Sequence, residues 1–181
     1  GSENVGIGWR KLHQLISERK KIVFEEQPCR DAVYEDIDPE KVRRYIRARA
    51  EKFRVQLDIP VEDILKSRKC VLDQSGRLTP TNAGILLFGK EPVRFLPMSY
   101  ATVVKFKGMN QSQGYEDRKD FQGTLVELIE KTIEWIDGRM YHGGKIPERG
   151  VIRQEVMQFH LPSLRELVVN AVAHRDYTNT G

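Results

Sequence analysis

The sequence predicts an α+β fold, with helices and strands mixed and no regular βαβ alternation. Three observations predict it. Some segments repeat apolar residues at helical spacing, while others alternate or run apolar in the manner of strands. The two kinds follow one another irregularly along the 181 residues. At 39% hydrophobic and 31% charged residues, the chain has the composition of a folded protein rather than a disordered one. That length suffices for one well-packed domain or two small ones.

Trp9, Leu12, Leu15 and Ile16 predict a short first helix. Glu18 to Lys21 read as a charged connection, and IVFEE from Ile22 as a short strand that opens the compact domain. Residues 1–21 are therefore expected to be a linker or the tail of a preceding domain, with Gly1–Ser2 a cloning scar. Residues 22–181 form the α+β domain.

DIDPEKVRRYIRARAEKFR predicts a strong helix. Asp38 is a good N-cap, and Pro39 stands at the first helical position, where its missing N–H costs nothing. Val42, Tyr45, Ile46, Arg49 and Phe53 follow the helical period. Arg43, Arg44, Arg47 and Arg54 share the other side. That face suits phosphates. It equally suits a solvated surface, partly neutralised by Glu51.

PVEDILKSRKCVL predicts a helix running into a strand, DQSG a turn closed by Gly76, and RLTPTNAGILLFG a second strand ending in the apolar run Ile85 to Phe88. Helix, strand, turn and strand resemble a winged-helix element. The turn carries little positive charge, which favours packing over DNA contact. YATVVKFKG reads as a central strand and residues 109–120 as a polar loop.

TLVELIEKTIEWIDGRMY predicts a further helix with Leu125, Leu128, Ile129, Ile133, Ile136 and Met140 inward. Thr124 and Glu127 have the spacing of a capping box, and HGGK ends the helix. RGVIRQEVMQFHLP is strand-like. The last helix is expected from Leu164 to Arg175, with Leu164, Leu167, Val168, Ala171 and Val172 buried.

In that helix Glu166, Asn170 and His174 are spaced i, i+4, i+8 and form one polar stripe beside the apolar face. An amide oxygen there suits a hard cation such as Mg²⁺, and a carboxylate can orient or deprotonate an attacking water. Nucleotide hydrolysis needs that combination. Spacing alone leaves another reading open. Ser163-x-x-Glu166 is also a capping box, which would contribute on the order of 1 kcal/mol without any ligand. Asn170 is then a surface residue and His174 a partner for the helix dipole.

Several classes are excluded. His174–Arg175–Asp176 resembles a kinase catalytic loop, but the Asn required five residues on is Gly181, and no Gly-rich phosphate loop precedes it. There is no P-loop motif. His13, His142, His160 and His174 lack zinc spacing. No apolar run approaches the roughly 18 residues of a membrane span. Cys29 and Cys70, with no export signal, are expected to be free thiols in the reducing cytoplasm. The net charge of +4 is weak support for a nucleic-acid partner.

LTPTNAGILLFGKEPVRFLP, VVKFKG, FQGTLVELIEKTIEWI and LPSLRELVVNAVAHRDY, in that order, resemble transcriptional regulators labelled RecG-like or Schlafen-related. The resemblance covers roughly residues 22–177. It implies an AlbA-type DNA-binding domain upstream, absent here apart from residues 1–21. It also implies a divergent ATP-binding domain of the GHKL class, of which this chain holds the first part. Glu166-x-x-x-Asn170 then resembles the N-box, with Glu166 activating water and Asn170 holding Mg²⁺ with ATP. His174 and Asp176 extend the same site. The chain stops before the glycine-rich segments of that class, so ATP, Mg²⁺ and any ATPase activity are expected of the longer protein and not of this piece. Expected partners are DNA, through the upstream domain, and further copies of the chain.

Overall fold

The computed structural model describes residues 23–55, 58–108, 114–140, 142–145, 154–157 and 160–178, with backbone alone at 142–145 and 154–157. The helix expected around residues 9–16 lies outside the described residues. Mixed helices and antiparallel strand pairs make the fold α+β.

Helix α1, Pro39–Phe53, begins as its sequence demands. The Asp38 carboxylate accepts from the Glu40 N–H at 2.9 Å, and Pro39 opens the first turn. Val42 and Ile46 are buried, but Phe53, at the end of the same period, is 57% exposed under the cations of Arg49 and Lys52. Helix α2, Val61–Ser67, leads into β1, Val71–Gln74, which pairs with β2, Arg77–Pro80. Ser75 and Gly76 both have positive φ, as the two central residues of a type I′ hairpin require, and the Gly76 N–H donates to Asp73 at 2.9 Å.

The apolar run Ile85 to Phe88 is helical rather than a strand. It lies in α3, Asn82–Phe88, where the Thr81 hydroxyl accepts from the Gly84 N–H. Ile85, Leu86 and Phe88 are all buried, so no periodicity marks the element, and a short buried helix reads like a buried strand. A short helix α4, Pro92–Phe95, follows. The strand expected at IVFEE is likewise replaced. Phe24–Glu26 is one 3-10 turn, closed by Glu26 N–H to Val23 O and Gln27 N–H to Phe24 O.

β3, Tyr100–Phe106, pairs with β4, Tyr115–Gln122. Among the described residues β3 pairs with β4 alone, so within them it lies at a sheet edge and not in the central position expected of it. β4 falls largely in the stretch expected to be a loop; residues 109–113 lie outside the described residues. Polar cross-links tie the mostly exposed β4 to the half-buried β3. Lys105 meets Glu116 at 2.9 Å, and the Thr102 hydroxyl donates to Asp120 at 2.5 Å.

Helix α5, Leu125–Asp137, carries the expected capping box. The Thr124 N–H donates to Glu127 Oε2 at 2.8 Å, and the Glu127 N–H donates back to the Thr124 hydroxyl at 3.4 Å. The helix ends at Gly138; HGGK is instead β5, His142–Lys145, paired with β6, Gln154–Met157. Helix α6, Leu161–Ala173, closes the order.

Two apolar clusters form the interior. The larger gathers Val42, Ile46, Leu65, Cys70, Ile85 and Leu86 with their neighbours. The smaller joins Ile133 of α5 to Val168 and Val172 of α6. Leu125 packs against both. No described helix is long and apolar enough to cross a membrane.

Candidate functional site

Helix α6 begins three residues earlier than its sequence suggests. His160 is the N-cap, Pro162 lies in the first turn, and Ser163 is already inside the helix with its hydroxyl 2.9 Å from His160 Nδ1. A residue inside the helix cannot cap it. The Ser163–Glu166 capping box is therefore not formed, and Glu166 makes no hydrogen bond or ion pair among the described residues.

The buried stripe of α6 is narrower than expected. Val168 and Val172 are buried, and Leu161 and Leu164 are half-buried against the smaller cluster. Leu167 is 68% exposed and Ala171 is also exposed, contrary to the expected five-residue face. With 161, 164, 168 and 172 inward, positions 166, 170 and 174 fall on the opposite side of the wheel. Glu166, Asn170 and His174 are all exposed there, with Leu167 on their flank. The polar stripe thus faces outward and does not border the core.

Past the helix, alternate residues turn opposite ways. His174 and Asp176 are exposed. The Asp176 carboxylate accepts from the Thr178 N–H at 2.9 Å and from its hydroxyl at 2.6 Å. Arg175 donates to the Tyr100 carbonyl and lies over the Tyr100 ring at 4.8 Å. Tyr177 is buried in the larger cluster, its hydroxyl donating to the Val172 carbonyl at 2.7 Å. These two anchors hold the end of α6. Their sequence signal is the alternation in His174-Arg175-Asp176-Tyr177, whose odd-numbered members face inward.

As a donor set, α6 offers one carboxylate and one amide oxygen a helical turn apart. Among the described residues no group of three His, Cys, Asp or Glu side chains is placed to hold a metal ion. A two-donor wall fits Mg²⁺ only where water and phosphate oxygens complete the shell. Both thiols are free and buried, which disfavours the thiolate. Burial, helped by Asp36 and Asp31, pushes Cys29 up to about 11, and burial pushes Cys70 up to about 11 against the opposing pull of Arg68.

Arg43, Arg44, Arg47 and Arg54 are exposed on α1, as expected of either reading of that face. Arg43 pairs with Glu40, and Arg54 is the left-handed C-cap of the helix. Arg44 lines a cleft of about 430 Å³ between α1, α3 and α5. Beside it Lys41 Nζ stands 3.0 Å from Glu127 Oε1 and donates to the Gly89 carbonyl at 2.9 Å. Burial pulls the Glu127 carboxyl upward. The Thr124 N–H, the Lys41 ammonium and the Thr124 hydroxyl outweigh it and hold the group below its ordinary value.

No curated protein and no solved structure matches the chain. Residues 13–100 match a family model described as a domain of unknown function, DUF8451. The similarity to that family thus runs from the N-terminal segment through α1 to the start of β3, and α5 and α6 lie beyond it.

Proposed function

We propose that the chain is part of an ATP-binding, DNA-associated transcriptional regulator of the RecG-like or Schlafen-related kind, with α6 as the metal-side wall of a GHKL-type nucleotide site. One observation carries the reading. Glu166 and Asn170 stand one turn apart on the solvent face of an anchored helix, and neither side chain bonds to another described residue. The competing structural role for Glu166, the cap, is not formed.

Asn170 would hold the cation through its amide oxygen, and Glu166 would orient or deprotonate a water. Mg²⁺, when bound with ATP, neutralises phosphate charge. Val168, Val172 and Tyr177 keep the two donors at fixed spacing. His174 and Asp176 continue the exposed face past the helix. The α2–β1–β2 unit is the winged-helix-like element of this reading, serving packing.

The test is Mg–ATP binding and turnover on the full-length protein. Asn170→Ala should weaken binding, whereas Glu166→Ala should mainly reduce turnover. Equal ATP affinity with Ala at position 170 would overturn the assignment.

A second reading rests on the four exposed arginines of α1: a non-catalytic interaction or DNA-binding module with a degenerate nucleotide site. Charge reversal at Arg43 and Arg47, followed by DNA binding, separates the two.

A further inference from the structure

The cleft between α1, α3 and α5 plays no part in the nucleotide reading of α6, and shares only Arg44 with the arginine face of α1. We propose that it binds a small amphipathic anion, with an aromatic or short alkyl body and one acidic headgroup. Its volume of about 430 Å³ falls in the range of small-molecule sites. Tyr45, Leu87 and Phe88 line it together with Ala48 and Val126. Tyr45 meets Phe88 edge-on, ring centroids 5.9 Å apart, so the lining contains an aromatic pair that suits a flat ring. Val126, a large apolar residue, is 44% exposed at this site, and an apolar body would cover it.

The charges select the sign of the ligand. Lys41 and Glu127 neutralise one another, and Lys41 spends a further donor on Gly89. The remaining charged residues of the lining are Arg44, Arg68 and Glu130. Neither arginine side chain has an ion pair or hydrogen bond among the described residues. Two guanidinium forks without a partner among the described residues, set against one carboxylate, favour an oxyanion, which a planar fork grips through paired N–H bonds. An uncharged apolar ligand would leave both forks unused. A nucleic-acid strand would meet an apolar lining with two cations that are free among the described residues.

The test uses two dyes on the intact 181-residue chain. One is anionic, 1-anilinonaphthalene-8-sulfonate; the other is its neutral analogue, N-phenyl-1-naphthylamine. Fluorescence titration should show one saturable site for the anionic dye. Ala48→Trp, which fills the cleft, should weaken both dyes by about tenfold or more. Arg44→Ala with Arg68→Ala should weaken the anionic dye by about tenfold and the neutral dye by less than about threefold. Circular dichroism checks that each variant folds. Should Ala48→Trp fail to fold, the arginine pair decides alone, because both changed side chains are exposed. The proposal is overturned by no saturable binding, by equal binding in the cleft-filled variant, or by an equal loss of both dyes in the arginine pair. It is also overturned if affinity falls as protein concentration rises with self-association, for then the occupant is a second copy.

Discussion

Lys41 of α1 and Glu127 of α5 meet at 3.0 Å, with their side chains only 15% and 28% exposed, and the same glutamate closes the capping box of its own helix. One carboxylate thus serves both the start of α5 and its attachment to α1. Glu127→Gln should cost about 1–3 kcal/mol at neutral pH, the scale of leaving a partly buried cation unpaired. The native carboxyl titrates below its unfolded value, so the unfolded chain takes up the proton first as pH falls. The contribution is complete above the ordinary glutamate value of about 4.3. It is lost as pH falls through the lowered native value. Urea midpoints across this acid range should drop for the parent and change less for Glu127→Gln.

A Cβ at Gly84 would stand 2.0 Å from the Cys70 carbonyl oxygen, a backbone atom that cannot swing aside. Gly84→Ala should therefore cost at least about 3 kcal/mol. Gly76 gives the contrast. Its φ is +87° but open space surrounds it, so Gly76→Ala should cost only about 1 kcal/mol. Thermal melts of the two variants compare strain with overlap directly.

Glu166→Ala should change stability by no more than about 0.5 kcal/mol, as for an exposed residue with no structural partner among the described residues. The capping box read from the sequence would instead have cost about 1 kcal/mol. A loss of that size, or more, in chemical denaturation would restore the cap.

If DNA is gripped by the α1 face, log K should fall with log salt at a slope of about −3 to −4, one phosphate per arginine. Replacing Arg47 alone should reduce the slope by about one. Binding that persists in high salt rules out this purely electrostatic contact.

What the sequence disclosed follows from how local each signal is. α1 and α5 are long, capped and amphipathic, so their starts and caps were legible at Asp38 and Thr124, although α5 stops at Asp137, short of the HGGK end expected of it. The Ser75–Gly76 turn was legible because its backbone demands particular residues. α3 was not, because burial around most of its circumference erases its period. β4 was not, because cross-strand charges hold it where apolar alternation would have marked it. At the candidate site, the residue types and spacing of Glu166, Asn170 and His174 were visible. Their orientation was not: Leu167 and Ala171 look like core residues until the start of α6 is fixed at Leu161. The cleft could not be foreseen, since its walls come from residues far apart in the chain.

Tyr177 has a consequence for the order of events in folding. It occupies the same cluster as Val42, Leu65 and Ile85, yet it follows Leu96, the preceding buried member of that cluster, by most of a hundred residues. During synthesis the earlier members are available long before this ring is. The slot it fills should therefore be the last part of that interior to close, because joining it requires the longest loop. A contact that closes last should be absent from the folding transition state. Tyr177→Leu should accordingly speed unfolding while leaving the refolding rate nearly unchanged, as read from the two limbs of a chevron plot. A slowed refolding limb would place this distant ring in the nucleus instead.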